Sequence, residues 1–387
     1  MSKMKRSVLP ALMLAVFSGS AAAAAFQLFE QNGSGVGMSY AGSAAVADNA
    51  STLFYNPAGL SLLAGGQVSV GIAAIRPSYK YRSNAGQSSG GDAGSWGMVP
   101  NAYFSYQLSQ DLTAGFGISV PFGLASEYQP GWDGAVLGVK SEIKTINYNP
   151  SLAYRVNDKL SLGIGVNYQT IDGELTQTGA RLQGDDASWG WNAGALVTLS
   201  PSMRLGLSYR SAVKHTLEGT LNGALPVRAD LKLPDTSVFS VWQQVSERWE
   251  AMGDLSFTRW NSLQKFDVYT AGGTPVSSET FNYQNSWRIA WGAAYKANDA
   301  LKLKFGLAFD RSPVRNEYRS VRVPDNNRLW LSLGGQWNTG RYGKIDLGYT
   351  YVYLRDPSID KTGDGVPVQG KYDASAHVLG AQYSVGF

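Results

Sequence analysis

The amino-acid sequence predicts an all-β protein, a 14-stranded antiparallel transmembrane β-barrel with an N-terminal plug (hatch) that contains short helices. Apolar residues alternate with small or polar ones along most of the chain, and short turns alternate with longer connections. Charged residues make up only 16% of the chain, against about 25% in ordinary soluble domains. After the N-terminal leader no run approaches the roughly 20 consecutive apolar residues of a spanning helix, so any membrane crossing must use strands.

The chain begins with the features of a secretory signal. Three basic residues fall within the first six positions, residues 8–17 are apolar, and residues 18–25 are small with several cleavage options. We expect cleavage after Ala24, so that residues 1–24 are a signal peptide. Removing the three leader cations from the 33 basic residues leaves 30, against 29 acidic ones. That balance argues against nucleic-acid binding, and the absence of cysteine excludes disulfide scaffolds.

The connections decide between a membrane barrel and a soluble sandwich, because alternation alone fits both. Short turns are predicted at 108–112, 156–159, 199–203, 245–248, 297–300 and 338–342. Longer polar or glycine-rich loops are predicted near 82–97, 126–138, 176–187, 215–229, 270–280, 311–326 and 355–372. Six turns and seven loops make thirteen connections and therefore fourteen strands, with both termini on the side of the short turns. Tryptophans near strand ends are expected to form interfacial girdles, among them Trp189, Trp191, Trp249 and Trp260.

The segment before the first strand does not alternate. Residues 25–66 are small and apolar, and we predict that they form a hatch inside a barrel of residues 67–387. Within the hatch, Asn56-Pro57-Ala58 predicts the start of a helix, with asparagine as the N-cap and proline at the first helical position. The alternative for these three residues is an ordinary capped turn.

Several segments resemble the FadL family, the outer-membrane transporters of long-chain fatty acids and related hydrophobic compounds. The matching pieces are Phe26-Gln27-Leu28, Asn56-Pro57-Ala58, 123–128, Ala308-Phe309-Asp310, Ser312-Pro313-Val314 and Val323-Pro324-Asp325 with Arg328 and Trp330. The resemblance implies substrate capture from outside and lateral exit through a kinked third strand. Two features depart from the family: the connection at 176–187 is short and polar, and Asp172 stands where a carboxylate-binding arginine is expected by resemblance.

The third strand supports a kink independently of the resemblance. The residues predicted to face inward are Gly115, Gly117, Ser119, Pro121 and Gly123, and those predicted to face outward, through Pro121, are Phe116, Ile118, Val120, Phe122 and Leu124. Pro121 cannot donate to the strand ladder, and the glycines add neither bulk nor stiffness. The strand can therefore bend into the lumen and leave a lateral exit, unless Pro121 only marks the outer end of the strand.

Four residues are predicted to bind ligand. Phe26, Leu28 and Phe29 would be costly to expose and could line an apolar pocket. Arg288 is predicted to lie opposite Asp310, because partners across a turn centred at Asp299 have numbers that sum to about 598. Both side chains would face the lumen and form an ion pair. Arg288 then either neutralises a buried charge or also binds an anionic head group.

The predicted function is transport of hydrophobic small molecules in the bacterial outer membrane, most simply long-chain fatty acids. Aromatic hydrocarbons by the same route, or a general porin, are the alternatives. An outer-membrane lipid hydrolase is less well supported, because His215 and His377 are separate and read as surface histidines without a local serine motif. We expect no enzyme activity, cofactor or metal, no nucleic-acid partner, contact with outer-membrane lipid, and a monomer.

Overall fold

The computed structural model of the protein describes residues 25–86, 88–363 and 365–387, so the predicted signal peptide lies outside the described residues. Its twenty β segments are β1 (Gly66–Ser83), β2 (Gly97–Gln107), β3 (Leu112–Ser119), β4 (Gly123–Glu127), β5 (Lys140–Arg155), β6 (Leu160–Gln177), β7 (Ala180–Ser200), β8 (Met203–Arg210), β9 (Val213–Leu221), β10 (Leu225–Leu233), β11 (Thr236–Gln244), β12 (Trp249–Thr258), β13 (Lys265–Thr270), β14 (Pro275–Thr280), β15 (Ser286–Lys296), β16 (Leu301–Asp310), β17 (Arg328–Asn338), β18 (Lys344–Leu354), β19 (Ser358–Gly363) and β20 (Val366–Gly386).

These segments form fourteen antiparallel barrel strands, as predicted. Six of the strands are each interrupted once and therefore consist of two consecutive segments: β3 with β4, β8 with β9, β10 with β11, β12 with β13, β14 with β15, and β18 with β19. The barrel is closed by β1 and β20, which pair from Gln67 opposite Gly386 to Ser83 opposite Gly370. Closure leaves no free sheet edge along the wall, which a strand protein in lipid requires.

The two ends of the barrel differ. All six predicted short turns join adjacent strands at the end where Gly66 and Phe387 meet. At the other end, four of the segments predicted to be loops are not loops. Residues 176–187, 215–229, 270–280 and 355–372 are largely β hairpins that continue the barrel strands. Polar residues on both faces mark these parts of the strands as lying beyond the apolar band, which is why the sequence pattern suggested loops.

Residues 25–65 pack inside the barrel before β1 begins at Gly66. They contain one α-helical turn, α1 (Thr52–Tyr55), and two 3-10 helices, Val36–Met38 and Pro57–Leu62. The side chain of Asn56 accepts a hydrogen bond from the Ala58 N–H, and Pro57 is the first residue of its helix. The capped helix start at this motif is therefore present as a 3-10 helix rather than an α-helix.

Glycine on the inner face of the barrel makes room for the hatch backbone. A Cβ atom built on Gly163 would lie 2.3 Å from the Ala58 nitrogen, and one on Gly306 would lie 2.1 Å from the Met38 carbonyl carbon. No side chain fits at such distances. The glycines that alternate with apolar residues along the strands are thus partly explained by the hatch that they contact.

The outer face of the barrel is apolar, as expected of a lipid-facing wall. Ile164, Leu207 and Leu347 are 59%, 60% and 59% exposed, and the girdle residue Trp189 is 65% exposed. Trp260 was expected in the same girdle, but it is fully buried because its short 3-10 helix, Trp260–Ser262, turns the ring into the lumen. None of the helices in the described chain is long and apolar enough to cross a membrane.

Candidate functional site

The third barrel strand is interrupted at the position of the proline. β3 ends at Ser119 and β4 resumes at Gly123, and both segments pair with β5. Pro121 therefore lies within the strand and does not mark its outer end. On the other side, the ladder between β2 and β3 ends at Ala102 opposite Ile118, whereas β2 continues to Gly97 with only β1 as partner. The wall thus has a break in its hydrogen bonding between the second and third strands.

The inward orientation of the first glycines agrees with the prediction, but the alternation does not continue through Pro121. A Cβ on Gly115 would contact Leu53 and Leu60 of the hatch. From the interruption onward, Val120, Phe122 and Leu124 are 8%, 4% and 5% exposed and pack in the interior of the barrel, so their predicted outward orientation is wrong. Three residues without regular pairing let the chain re-enter the ladder with its faces exchanged. Gly123 precedes the inward Leu124 in the strand and is therefore on the outer face, so its predicted inward orientation is also wrong.

The N-terminal segment binds to this interruption. The Leu28 N–H donates to the Pro121 carbonyl at 2.9 Å, and the Gly123 N–H donates to the Phe26 carbonyl at 2.9 Å. The Gln31 side chain bonds both the N–H and the carbonyl of Val120. The first described residues therefore satisfy backbone groups that the broken ladder leaves without a strand partner. Movement of this segment would expose them.

An apolar cavity, called here the outer cavity, lies toward the long hairpins. Its apolar lining includes Phe26, Leu124, Ile143, Ile171, Leu217, Leu231, Phe266 and Val268. An adjoining cavity at the hairpin end of the barrel shares Leu175, Leu182 and Phe266 with it. The lining of the outer cavity is almost entirely apolar, as in pockets that bind apolar ligands.

Another cavity, called here the inner cavity, lies on the other side of an aromatic cluster. In this cluster the ring of Phe26 lies 4.9 Å from that of Trp260 and 6.2 Å from that of Phe122. Phe26 lines the outer cavity and Phe122 the inner one. The inner cavity is more polar, and its lining includes Leu28, Phe29, Tyr55, Pro121, Asn147, Asn167, Arg210, Asp254 and Arg288.

All four residues predicted to bind ligand thus lie against the two cavities. Phe26 contacts the outer cavity, and Leu28, Phe29 and Arg288 contact the inner one. The Arg288 guanidinium lies 4.8 Å from the Phe29 ring centroid and 5.0 Å from that of Trp330. The N-terminal segment is therefore part of the cavity walls.

Arg288 lies directly opposite Asp310 between β15 and β16, and both side chains are buried, as the register arithmetic predicts. The predicted ion pair is absent. No oxygen of Asp310 lies within 4.0 Å of the Arg288 guanidinium nitrogens. Arg288 bonds instead to the Ser39 carbonyl of the hatch, while its Nε and the Asp310 Oδ2 have no hydrogen-bond partner. The hatch, which register arithmetic does not include, draws the guanidinium away from its cross-strand neighbour.

Glu30 is a buried carboxylate that the sequence analysis did not single out. It is fully buried, and neither side-chain oxygen has a hydrogen-bond partner. Burial raises its pKa from 4.5 to about 7, although Arg328 and Arg288 nearby oppose the shift. No signal in the sequence marks it, because a single glutamate in a small-residue segment reads as solvent-exposed.

Glu30→Gln is expected to stabilise the folded protein above pH 7. Between pH 4.5 and 7 the folded state holds a proton on Glu30 that the unfolded state has lost, so stability falls as pH rises through that window. The substitution removes this loss. The free energy of unfolding should therefore rise by up to about 3 kcal/mol at pH 8 and stay unchanged at pH 4. Denaturant unfolding at both pH values measures it, with the exposed Glu127→Gln as control. An equal effect at both pH values would contradict the assignment.

The two histidines are in different environments. His377 is on the outer face, where its Nδ1 bonds the Tyr349 hydroxyl at 2.8 Å. His215, predicted as a surface residue, is fully buried because β9 continues the alternation through the predicted loop. Its ring nitrogens bond Asp186 at 2.8 Å and Gln169 at 3.1 Å, which leaves neither ring nitrogen free to activate a nucleophile. No group of three metal-ligating side chains occurs in the part of the chain that the structure describes.

A closed barrel with an internal hatch, stacked cavities and a broken wall strand defines a membrane channel for small molecules. Residues 14–387 match the family described as "Outer membrane protein transport protein (OMPP1/FadL/TodX)". The chain belongs to this family of outer-membrane transporters of hydrophobic compounds, as the sequence resemblance indicated. It is accordingly a bacterial outer-membrane protein and a transport channel rather than an enzyme.

The relatives carry several different names. The 47 kDa outer membrane protein of Pasteurella multocida is 30% identical, with 99% of each chain covered. The long-chain fatty acid transport protein of Escherichia coli K12 is 28% identical, with 97% of each covered. Among solved structures, a Pseudomonas aeruginosa FadL homologue has a TM-score of 0.85 at 22% identity, covering 94% of this chain and all of that one. The toluene transporter TodX of Pseudomonas putida has a TM-score of 0.72 at 18% identity over 92% of this chain and 98% of its own.

Proposed function

We propose that this protein takes up long-chain fatty acids. The acyl chain enters the outer cavity from the hairpin end, passes the aromatic cluster at Phe26 into the inner cavity, and leaves sideways through the break at Pro121. The observation that carries the proposal is the apolar outer cavity, which Phe26 separates from a more polar inner cavity with arginines in its wall. The apolar tail of a fatty acid would occupy the outer cavity, and its carboxylate would occupy the inner one.

Two considerations favour fatty acids over single aromatic rings. A long-chain fatty acid can place its acyl chain against the apolar lining of the outer cavity and its carboxylate against the polar lining of the inner one, whereas a single hydrocarbon ring has no group for the polar side chains. The curated relatives named for a substrate are long-chain fatty acid transport proteins that match 97% of this chain. Uptake of aromatic hydrocarbons by the same route is the second candidate, supported by the fold shared with toluene transporters.

The lateral route is supported by the unpaired edge of β2 and by the N-terminal segment that covers the interruption. Hatch residues fill the lumen on the side of the short turns, which argues against a water-filled general porin. We also propose that the protein acts as a monomer, since a single chain encloses both cavities, and that outer-membrane lipid receives the substrate.

Binding of palmitate and of toluene to the purified protein tests the choice of substrate. Leu231→Gln places an amide in the outer cavity and is expected to weaken palmitate binding at least tenfold. Leu225→Gln, on the same strand but 42% exposed, is the matched control and should bind like the wild type. Tight toluene binding without palmitate binding would favour the second candidate, and large ion conductance in planar bilayers would favour a porin.

A further inference from the structure

We infer that Arg210, on β8, is the binding site for the carboxylate of the transported acid. This inference rests on the proposed function, and it assigns the head group to a residue that the sequence analysis did not single out. Arg210 lines the inner cavity, and its guanidinium lies 4.1 Å from the centroid of the Phe54 ring on α1.

The charge of Arg210 has no counter-ion in the protein. No carboxylate in the described part of the chain lies within 4.0 Å of its guanidinium. Its neighbours are neutral: Nη1 bonds the Asn167 side chain, and Nη2 donates to the Phe54 carbonyl at 2.8 Å and to Asn149 Oδ1 at 3.5 Å. An uncompensated cation inside a membrane barrel is costly to retain, and such residues mark ligand and ion pathways.

The Arg210 guanidinium retains unused hydrogen-bond donors. It has five N–H groups, and three of them are used in the bonds to neutral acceptors. The remaining two, on Nε and Nη1, lie on different edges of the guanidinium, and either of them can donate a charge-assisted hydrogen bond to a carboxylate. The face of the guanidinium is fixed against Phe54, so the group is held in place before a ligand arrives.

Arg288 is less suited to the same task. It lines the same cavity, but Asp254, Asp310 and Glu30 all act on it electrostatically. Asp254 also lines the cavity, where it accepts bonds from Gly42 N–H at 2.8 Å and from the Ser43 and Ser240 hydroxyls. An incoming carboxylate would meet negative charge beside Arg288 and none beside Arg210. The field within the inner cavity therefore directs the head group to β8.

Comparison of palmitate with its neutral methyl ester isolates the head group. Arg210→Met is expected to weaken palmitate binding by about tenfold to a hundredfold and leave binding of the ester within about twofold of wild type. Arg210→Lys keeps the charge without the planar guanidinium. Its affinity for palmitate should lie between those of the wild type and Arg210→Met. Arg204→Met is the matched control, since Arg204 is on the same strand and lies 4.0 Å over the Trp242 ring but does not line the inner cavity.

Each outcome is decisive. Equal weakening of acid and ester in Arg210→Met, or no weakening of either, would overturn the inference, while binding by the wild type would still support the proposed function. Failure of the wild type to bind either compound would instead overturn the proposed function itself. If Arg210→Met does not fold, the infrared carboxylate band of bound 13C-carboxyl palmitate is compared between the wild type and Arg210→Lys. A carboxylate band that shifts between the two proteins would support the site. A protonated acid, or a band that is the same in both proteins, would contradict the site.

Discussion

The double substitution Asn101→Cys and Ser119→Cys, once oxidised, is expected to reduce fatty-acid uptake to the level of cells without the protein. Partners between β2 and β3 have numbers that sum to 220, and the last pair is Ala102 with Ile118. Asn101 and Ser119 would form the next pair if the ladder continued, and their buried polar atoms have no hydrogen-bond partners. A disulfide there would join the two sides of the break. The chain has no other cysteine to complicate the result.

Reduction of the disulfide should restore uptake, and each single cysteine variant should transport normally. Ser69→Cys with Ser384→Cys is the matched control, because these serines face each other across the closed β1–β20 seam with their hydroxyl oxygens 2.9 Å apart. A crosslink at that seam should not affect transport. If the oxidised 101–119 variant still takes up fatty acid at the wild-type rate, the substrate leaves elsewhere, through the end of the barrel with the short turns.

Asp346→Ala is expected to destabilise the folded protein by about 3–5 kcal/mol, because it leaves the Lys304 ammonium buried without its partner. Lys304 Nζ lies 2.6 Å from Asp346 Oδ1, and the two side chains are only 3% and 2% exposed. Lys304 also donates to the Ser34 carbonyl at 3.0 Å, so the pair holds the hatch against the wall. Denaturant unfolding in detergent micelles measures the loss.

Replacing both partners by apolar residues, Lys304→Met with Asp346→Leu, should recover most of that stability, since no buried charge remains. The exposed pair of Lys296 and Asp299, with the aspartate side chain 98% exposed, provides the surface control. Asp299→Ala should change stability by less than about 1 kcal/mol. Equal losses for Asp346→Ala and Asp299→Ala would mean that the buried pair adds nothing to the anchoring of the hatch.

The barrel itself was predictable because its pattern is local. Alternation of apolar and polar residues follows from the two-residue repeat of a strand, and tight turns fix the register on either side of them. Arg288 and Asp310 were therefore correctly placed opposite each other without any knowledge of the fold. The count of fourteen strands followed from the connections even though four of the loops are hairpins.

The site depended on contacts that no local pattern encodes. The alternation rule places Phe122 and Leu124 outside, but the interruption at Pro121 turns them into the lumen. Trp260 has the sequence context of a girdle residue and is instead part of the aromatic cluster between the cavities. Both errors arise where the strand geometry is broken, and breaks of that kind concentrate at functional positions.

The sequence alone determined the fold class, the presence of a hatch, the kinked third strand and the cross-strand position of Arg288, because each depends on spacing within a short stretch. Only the tertiary structure decided which charges are compensated. Arg210 and Arg288 both line the inner cavity. The hatch brings the Glu30 carboxylate and the Ser39 carbonyl to Arg288, beside the wall residues Asp254 and Asp310, but only the neutral Phe54 to Arg210. Electrostatic environment is set by distances across the lumen and not along the chain.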